Sequence, residues 1–155
     1  MRTALSRAVV ALAITTVTAF GADNSIGTWK LNVANSKYTP GPLPAKSLTI
    51  KREAVDGGVR VTNTGERPDG TPINGSYTAK YDGKEVPVSG EAYDMIAIRQ
   101  VDANTFTDER RKTGGLYRAT GRIVVSNDGK TMTVTIKGIG ADGKAFTATF
   151  VDEKQ

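Results

Sequence analysis

Five polar side chains occur at positions that the alternation of apolar residues assigns to the inner face of a sheet. They are Arg52, Tyr77, Tyr81, Asp108 and Arg110. Arg52, for example, follows Leu48 and Ile50 at every second position and therefore shares their face of a strand. An arginine that is enclosed without a partner is costly, because its charge loses the solvation of water. The pattern therefore predicts a polar cluster inside the fold.

Arginine and tyrosine together suit the recognition of an anionic group. A guanidinium can donate two parallel hydrogen bonds to a carboxylate. If the fold encloses a cavity, these five residues would hold the polar end of an apolar or amphipathic ligand. The alternative is structural, because Arg52 and Arg110 lie near the ends of their predicted strands, where a long side chain can extend to water.

The chain contains no histidine and no cysteine, and this excludes several kinds of site. Ser-His-Asp and Cys-His catalysis, the usual zinc and copper sites, and haem held by histidine or thiolate all need these residues. No phosphate loop or dinucleotide-binding motif is present, and no segment fits the twelve-residue calcium loop. We therefore expect neither a metal nor a cofactor.

Catalysis by carboxylates with tyrosine or arginine is the chemistry that remains. Asp94, Asp108 and Glu109 could act with Tyr93 or Arg110, but nothing in their spacing sets a general acid against a general base. Acidic and basic residues on neighbouring strands more often form cross-strand pairs. We therefore do not expect an enzyme.

Asp-Gly pairs recur along the chain and predict tight hairpin turns, because both residues tolerate the backbone of such turns. With the other turn signals they arrive every ~10–14 residues, the spacing of an all-β barrel or sandwich. Between the turns, apolar and polar residues alternate as in half-buried strands. The pairs begin at Asp56, Asp69, Asp82, Asp128 and Asp142. The predicted strands are 26–33, 47–54, 58–65, 73–81, 84–88, 93–101, 105–112, 116–126, 130–138 and 145–152.

Short strands joined by tight turns favour a single antiparallel up-and-down β-barrel of about 8–10 strands, since closure removes exposed edges. A β-sandwich is the alternative. Residues 39–44 contain three prolines, which cannot form a central strand. We expect this segment to be an extended, polyproline-like crossing between the first and second strands, either a rigid connector or a lid over one mouth of the barrel.

Residues 1–22 are typical of a signal peptide that precedes the domain, which spans residues 23–155. Arg2 and Arg7 give a basic start, and the apolar run that follows is shorter than the ~20 residues needed to cross a bilayer. Cleavage is expected between residues 19 and 22. Loss of the two arginines lowers the net charge from +5 to +3, which does not by itself indicate a nucleic-acid-binding protein.

The segment that starts at Gly27 and contains Trp29 resembles the first strand of lipocalins and fatty-acid-binding proteins, the calycin group. The Gly-x-Trp motif of that group supplies a tryptophan that plugs the closed end of a small barrel. The whole chain is also similar to small secreted lipocalin-like bacterial proteins of undefined function. The resemblance departs from both branches, because residues 32–46 replace the helix pair of the fatty-acid-binding branch and no C-terminal helix is predicted.

From these features we expect an exported β-barrel that binds a small apolar or amphipathic ligand, including an anionic one. The alternatives are a protein- or envelope-binding scaffold with a solid core, and a histidine-free enzyme that uses Asp, Glu, Tyr and Arg. We expect no nucleic-acid partner and no integral membrane segment after cleavage. The expected location of the soluble protein is the periplasm or the extracellular space.

Overall fold

The computed structural model describes residues 21–155, and the predicted signal peptide therefore lies almost entirely outside the described residues. Eleven strands within this range form one antiparallel sheet, which confirms the all-β prediction. None of the described residues forms a helix long and apolar enough to cross a membrane. The strands are β1 (Gly27–Leu31), β2 (Lys37–Thr39), β3 (Ser47–Val55), β4 (Gly58–Glu66), β5 (Pro72–Lys80), β6 (Val86–Pro87), β7 (Met95–Gln100), β8 (Thr105–Arg111), β9 (Arg118–Val125), β10 (Thr131–Ile139) and β11 (Ala145–Lys154).

The sheet is nearly closed into a barrel. Strands from β3 to β5 and from β6 to β11 pair with their neighbours in chain order, and β1 joins the two groups by pairing with both β3 and β11. The remaining seam lies between β5 and the segment after β6. There, Ser76 and Ser89 exchange two backbone hydrogen bonds of 3.0 Å. A single curved sheet is therefore present, rather than the two packed sheets of the sandwich alternative.

The Asp-Gly pairs form the predicted turns. The glycine of each pair has a φ angle between 68° and 84°, a conformation that glycine adopts without steric cost. In four of these turns the aspartate carboxylate accepts a hydrogen bond from the backbone two residues later, as Asp82 does from the N–H of Lys84 at 2.9 Å. The turn chemistry thus sets the lengths of the long hairpin strands.

The segment between the first two predicted strands differs from the expectation. Residues Lys37–Thr39 form β2, which pairs with β11 and places Tyr38 opposite Ala148. The proline-rich crossing begins where β2 ends. A strand of three residues is too short for period-two alternation to reveal it, and its pairing partner lies more than a hundred residues away in the chain.

Trp29 is buried completely at one end of the barrel. Its indole Nε1 donates a hydrogen bond of 2.8 Å to the backbone oxygen of Ser25, and the ammonium of Lys154 lies 5.1 Å from the ring centroid. Gly27 has a φ angle of 138°, and a Cβ there would lie 2.8 Å from Cε of Lys154. Because Gly27 has no side chain, the Lys154 side chain can lie against the Trp29 ring.

Replacing Trp29 by alanine is expected to lower the free energy of unfolding by about 3–5 kcal/mol, because a large buried ring is lost and a cavity remains. Trp29→Phe keeps most of the apolar contact but leaves the Ser25 carbonyl without its donor, at a cost of about 1–3 kcal/mol. Urea unfolding followed by far-ultraviolet circular dichroism measures both. An alanine variant within about 0.5 kcal/mol of the parent would contradict the role of Trp29 as a plug.

Candidate functional site

The interior of the barrel contains a cavity of about 280 Å³. This volume is close to the lower end of the range of about 300–1,000 Å³ for small-molecule sites. Of the five predicted site residues, Arg52, Tyr77 and Arg110 line the cavity. Asp108 is buried as the partner of Arg110, and Tyr81 does not line the cavity but packs against Phe106. The alternation therefore placed all five side chains correctly on inner faces.

A chain of aromatic rings lines one part of the cavity wall. The ring of Phe146 stacks on Tyr38 with centroids 5.5 Å apart and contacts Tyr117 at 5.8 Å. Tyr117 in turn stacks on Tyr93 at 5.7 Å. Pro44, in the proline-rich crossing, also lines the cavity. This part of the wall is therefore built from stacked rings and from the proline-rich crossing, which the sequence predicts to be a connector or a lid.

Arg110 and Asp108 form a buried ion pair on the inner face of β8. Nε and Nη2 of Arg110 donate to the two carboxylate oxygens at 2.6 and 2.8 Å, and the side chains are 12% and 1% exposed. Gly121 lies opposite Asp108 on β9, where a Cβ would lie 2.5 Å from the carboxylate. The missing side chain at Gly121 makes room for the pair. Because each charge neutralises the other, the pair presents no net charge to the cavity.

Arg52 is also buried, with 3% of its surface exposed, and it does not extend to water. Its Nε donates a hydrogen bond of 3.0 Å to the hydroxyl of Ser25. That hydroxyl donates to Asp23, which also accepts a hydrogen bond from the hydroxyl of Tyr81. Burial and the hydrogen bond to Asp23 raise the pKa of Tyr81, so its hydroxyl keeps its proton. The guanidinium lies 5.8 Å from the ring centroid of Phe106 and near the hydroxyls of Tyr77 and Tyr81, but its Nη2 has no hydrogen-bond partner within the described chain.

Asp152 also belongs to this site and is not among the residues that the sequence predicts for it. It lines the same cavity, its side chain is 0% exposed, and neither carboxylate oxygen has a hydrogen-bond partner within residues 21–155. Burial raises the pKa of Asp152 to about 7, and the positive charge of Arg52 opposes part of this rise. The signal in the sequence was the alternation of Phe146, Ala148 and Phe150, which Asp152 continues.

Asn63 adds a further unpartnered polar atom to the cavity wall. Its Nδ2 donates a hydrogen bond of 2.8 Å to Oε1 of Glu91, but its buried Oδ1 has no partner in the part of the chain described. Buried polar atoms are nearly always paired in native proteins, by protein, water or ligand. The unpartnered atoms of Arg52, Asn63 and Asp152 therefore mark the cavity as a place for polar as well as apolar contacts.

A larger concavity of about 630 Å³ lies at the ends of strands β8 to β11 and shares Arg110 and Phe146 with the wall of the interior cavity. Exposed side chains such as those of Arg111, Arg118 and Lys137 line it. Because their polar groups reach water, they require no ligand to satisfy them. Among residues 21–155, no group of three or more acidic side chains is arranged to hold a metal ion.

The chain matches no known protein family, and no curated protein is significantly similar to it in sequence. The relation to lipocalins and fatty-acid-binding proteins therefore stays a prediction that rests on Gly27, Trp29 and the barrel-like sheet.

Asp108→Asn is expected to lower the free energy of unfolding by about 3–5 kcal/mol, because the charge of Arg110 stays buried without its counter-ion. Glu85→Gln is the matched control. Glu85 forms the same double contact with Arg111, at 2.6 Å for both bonds, but the two side chains are 45% and 44% exposed. Its loss should cost about 0–1 kcal/mol in urea unfolding. If both variants lose the same free energy of unfolding, burial does not make the Asp108–Arg110 pair more important than the exposed pair.

Asp152 is expected to make the free energy of unfolding fall as the pH rises from about 4 to about 7. In the unfolded chain this carboxyl loses its proton near 3.8, whereas the folded protein retains it up to about 7. Between these values the folded state binds more protons, so the contribution is fully present at the acidic end and is lost with rising pH. The slope is at most about 1.4 kcal/mol per pH unit.

Urea unfolding of the parent and of Asp152→Asn at a series of pH values measures this contribution. The difference between the two proteins isolates Asp152, because the other titrating groups are common to both. We expect the parent to lose stability relative to the variant across this interval. Parallel pH profiles would show that the carboxyl of Asp152 titrates normally in the folded protein.

Proposed function

We propose that this barrel binds one compact amphipathic molecule in its interior, with the polar end of the molecule at Arg52. The observation that carries the proposal is the interior cavity with the unpartnered Nη2 of Arg52 in its wall. A guanidinium in a site of low polarity gains most from an acceptor that carries negative charge. The preferred ligand therefore has an anionic end.

The rest of the wall favours an apolar body. Aliphatic and aromatic side chains from β3, β10 and β11 face the cavity, and the aromatic rings described above complete it. Each apolar group of a ligand that leaves water and contacts such a wall makes the free energy of binding more favourable. The aliphatic and aromatic lining comprises Leu48, Ile50, Val61, Ile73, Ile123, Met132, Val134, Ile136 and Phe150.

The volume sets the size of the ligand. A cavity of about 280 Å³ suits a short aliphatic chain or a single ring system better than a long lipid. Of the alternatives from the sequence, the scaffold with a solid core finds less support, because the interior of the barrel contains a cavity.

The basic and apolar start of the sequence supports export, and we place the protein in the periplasm or outside the cell. A binding protein there would capture its ligand from the surrounding solution. The resemblance to calycins, which hold apolar molecules inside small barrels, points in the same direction.

Octanoate is a suitable first probe, because it combines a carboxylate with a short apolar chain. We expect isothermal titration calorimetry to detect one octanoate per protein, and native mass spectrometry to detect the same complex. Arg52→Met should weaken the binding of octanoate by about 10- to 100-fold, since a hydrogen bond to a charged group is lost. The binding of octanol should change much less.

Arg60→Met is the matched control, because Arg60 lies on the exposed face of the neighbouring strand β4. It should leave the affinity for octanoate unchanged. Equal loss of affinity in both variants would place the contact on the surface of the barrel. If neither octanoate nor octanol binds to the parent protein, the proposed function is wrong.

A further inference from the structure

We propose that the ligand is a carboxylic acid whose carboxylate lies between Arg52 and Asp152 and shares one proton with Asp152. The inference rests on the proposed function and adds the chemical class of the ligand and a role for Asp152. Two features of the cavity carry it. The first is that Arg52 has a donor and Asp152 has acceptors without hydrogen-bond partners. The second is the balance of positive and negative charge in the cavity wall.

The first feature is the set of free donors and acceptors. Arg52 offers one donor, Nη2, and Asp152 offers two oxygens, one of which becomes a donor when the carboxyl is protonated. A carboxylate has acceptor sites for both residues. It can accept from Nη2 of Arg52 through one oxygen and from the protonated carboxyl of Asp152 through the other. An alcohol can accept from Arg52 and donate to an ionised Asp152 through its one oxygen, so it needs no proton from solvent.

The second feature is the surroundings of Asp152. On β11 it pairs with Leu31 of β1 and Met132 of β10, whose buried side chains provide no charge. Arg52, on β3, is the charged residue whose field acts on Asp152. The other ionisable groups that line the cavity are Tyr38, Arg67, Tyr77, Glu91, Tyr93, Arg110 and Tyr117.

The other charged members of this lining are either paired or in reach of water. Arg110 is paired with Asp108, whereas Glu91 and Arg67 form hydrogen bonds only to the neutral groups of Asn63 and Pro72 and are only partly buried, so that solvent screens their charges. Arg52 is thus the residue that can balance one negative charge at the base of the cavity. Two carboxylates beside a single arginine would leave one negative charge uncompensated.

A proton shared by the two carboxyl groups restores the balance. Two carboxyl groups in one buried site do not both ionise, because like charges at short distance repel strongly. The proton comes from solvent when Asp152 is ionised in the free protein, and no bond other than that to the proton is made or broken. Burial has already raised the pKa of Asp152 to about 7, so the proton is readily taken up near neutral pH.

Binding should therefore depend on pH in a defined way. Below about pH 7 Asp152 already carries the proton, and the affinity for octanoate should be constant. Above that value each complex must take up one proton, so the dissociation constant should rise about tenfold per pH unit.

The test measures the dissociation constant of octanoate at about pH 6 and about pH 8.5, for which the linkage of one proton predicts a change of more than about tenfold in the parent protein. Asp152→Asn keeps a donor and the size of the side chain but cannot titrate. It should bind octanoate with nearly the same affinity at both values. Glu153→Gln, at the next and exposed position of β11, should keep the pH dependence of the parent.

A second measurement counts the proton directly. Calorimetry above neutral pH in two buffers with different ionisation enthalpies should give uptake of nearly one proton per octanoate by the parent and none by Asp152→Asn. The parent protein alone gives the number of protons taken up, so this measurement is decisive even if the Asp152→Asn variant folds poorly. Octanol should bind without proton uptake.

The outcomes separate this inference from the proposed function. Binding of octanoate with no pH dependence and no proton uptake would overturn the shared proton and leave the binding function in place. Tighter binding of octylammonium than of octanoate would also overturn it, because Asp152 would then be the counter-ion of a cation. If octanoate, octanol and octylammonium all fail to bind, both proposals are wrong.

Discussion

Arg52 is held inside the barrel by its hydrogen bond to Ser25, and Trp29 and Asp23 also form hydrogen bonds to this serine. The backbone oxygen of the same serine accepts a hydrogen bond from the indole of Trp29, and its hydroxyl donates a hydrogen bond to Asp23. An enclosed guanidinium is stable only where hydrogen bonds and nearby negative charge compensate for lost hydration. The segment before β1 therefore has two roles, since Ser25 satisfies the indole of Trp29 and orients the guanidinium of Arg52.

The two buried arginines in the interior have different partners. Arg110 is matched within its own strand by Asp108, and Gly121 on the neighbouring strand makes room for that pair. Arg52 uses Nε for Ser25, while Nη2 and the nearby carboxyl of Asp152 keep unpartnered atoms in the cavity wall. The closed pair stabilises the wall, and the open pair supplies the polar contacts of the proposed site. This difference distinguishes a structural charge from a binding charge inside one barrel.

Alternation and turn chemistry predicted most of the fold from the sequence. The predicted strand 47–54 is observed as Ser47–Val55, and 58–65 as Gly58–Glu66, because Asp-Gly turns fix where hairpin strands end. The short strand Lys37–Thr39 escaped prediction, because its pairing with β11 depends on a contact between distant parts of the chain.

The site was predicted in part for the same reason. Period-two alternation reveals which face of a strand a residue occupies, and so it identified Arg52 and Arg110. It does not reveal which side chains meet across the barrel. Strand register decides that Asp108 lies over Gly121, where no side chain occupies the space. The curvature of the sheet brings Asp152 close enough to Arg52 to feel its positive charge. A carboxyl that continues an apolar alternation, as Asp152 does, is the one local sign of such a site.

The central claim is that the ligand lies inside the barrel with its carboxylate near the base, and Met132 can report on this directly. Met132 is buried in the cavity wall opposite Asp152, whereas Met95 lies on β7 and does not line the cavity. In protein labelled with ¹³C at the methionine methyl groups, octanoate should shift the Met132 resonance and leave that of Met95 in place. Nuclear Overhauser contacts should join the Met132 methyl to the methylene beside the carboxylate. Contacts from Met132 to the terminal methyl of octanoate, or no shift of Met132 at saturation, would contradict the account.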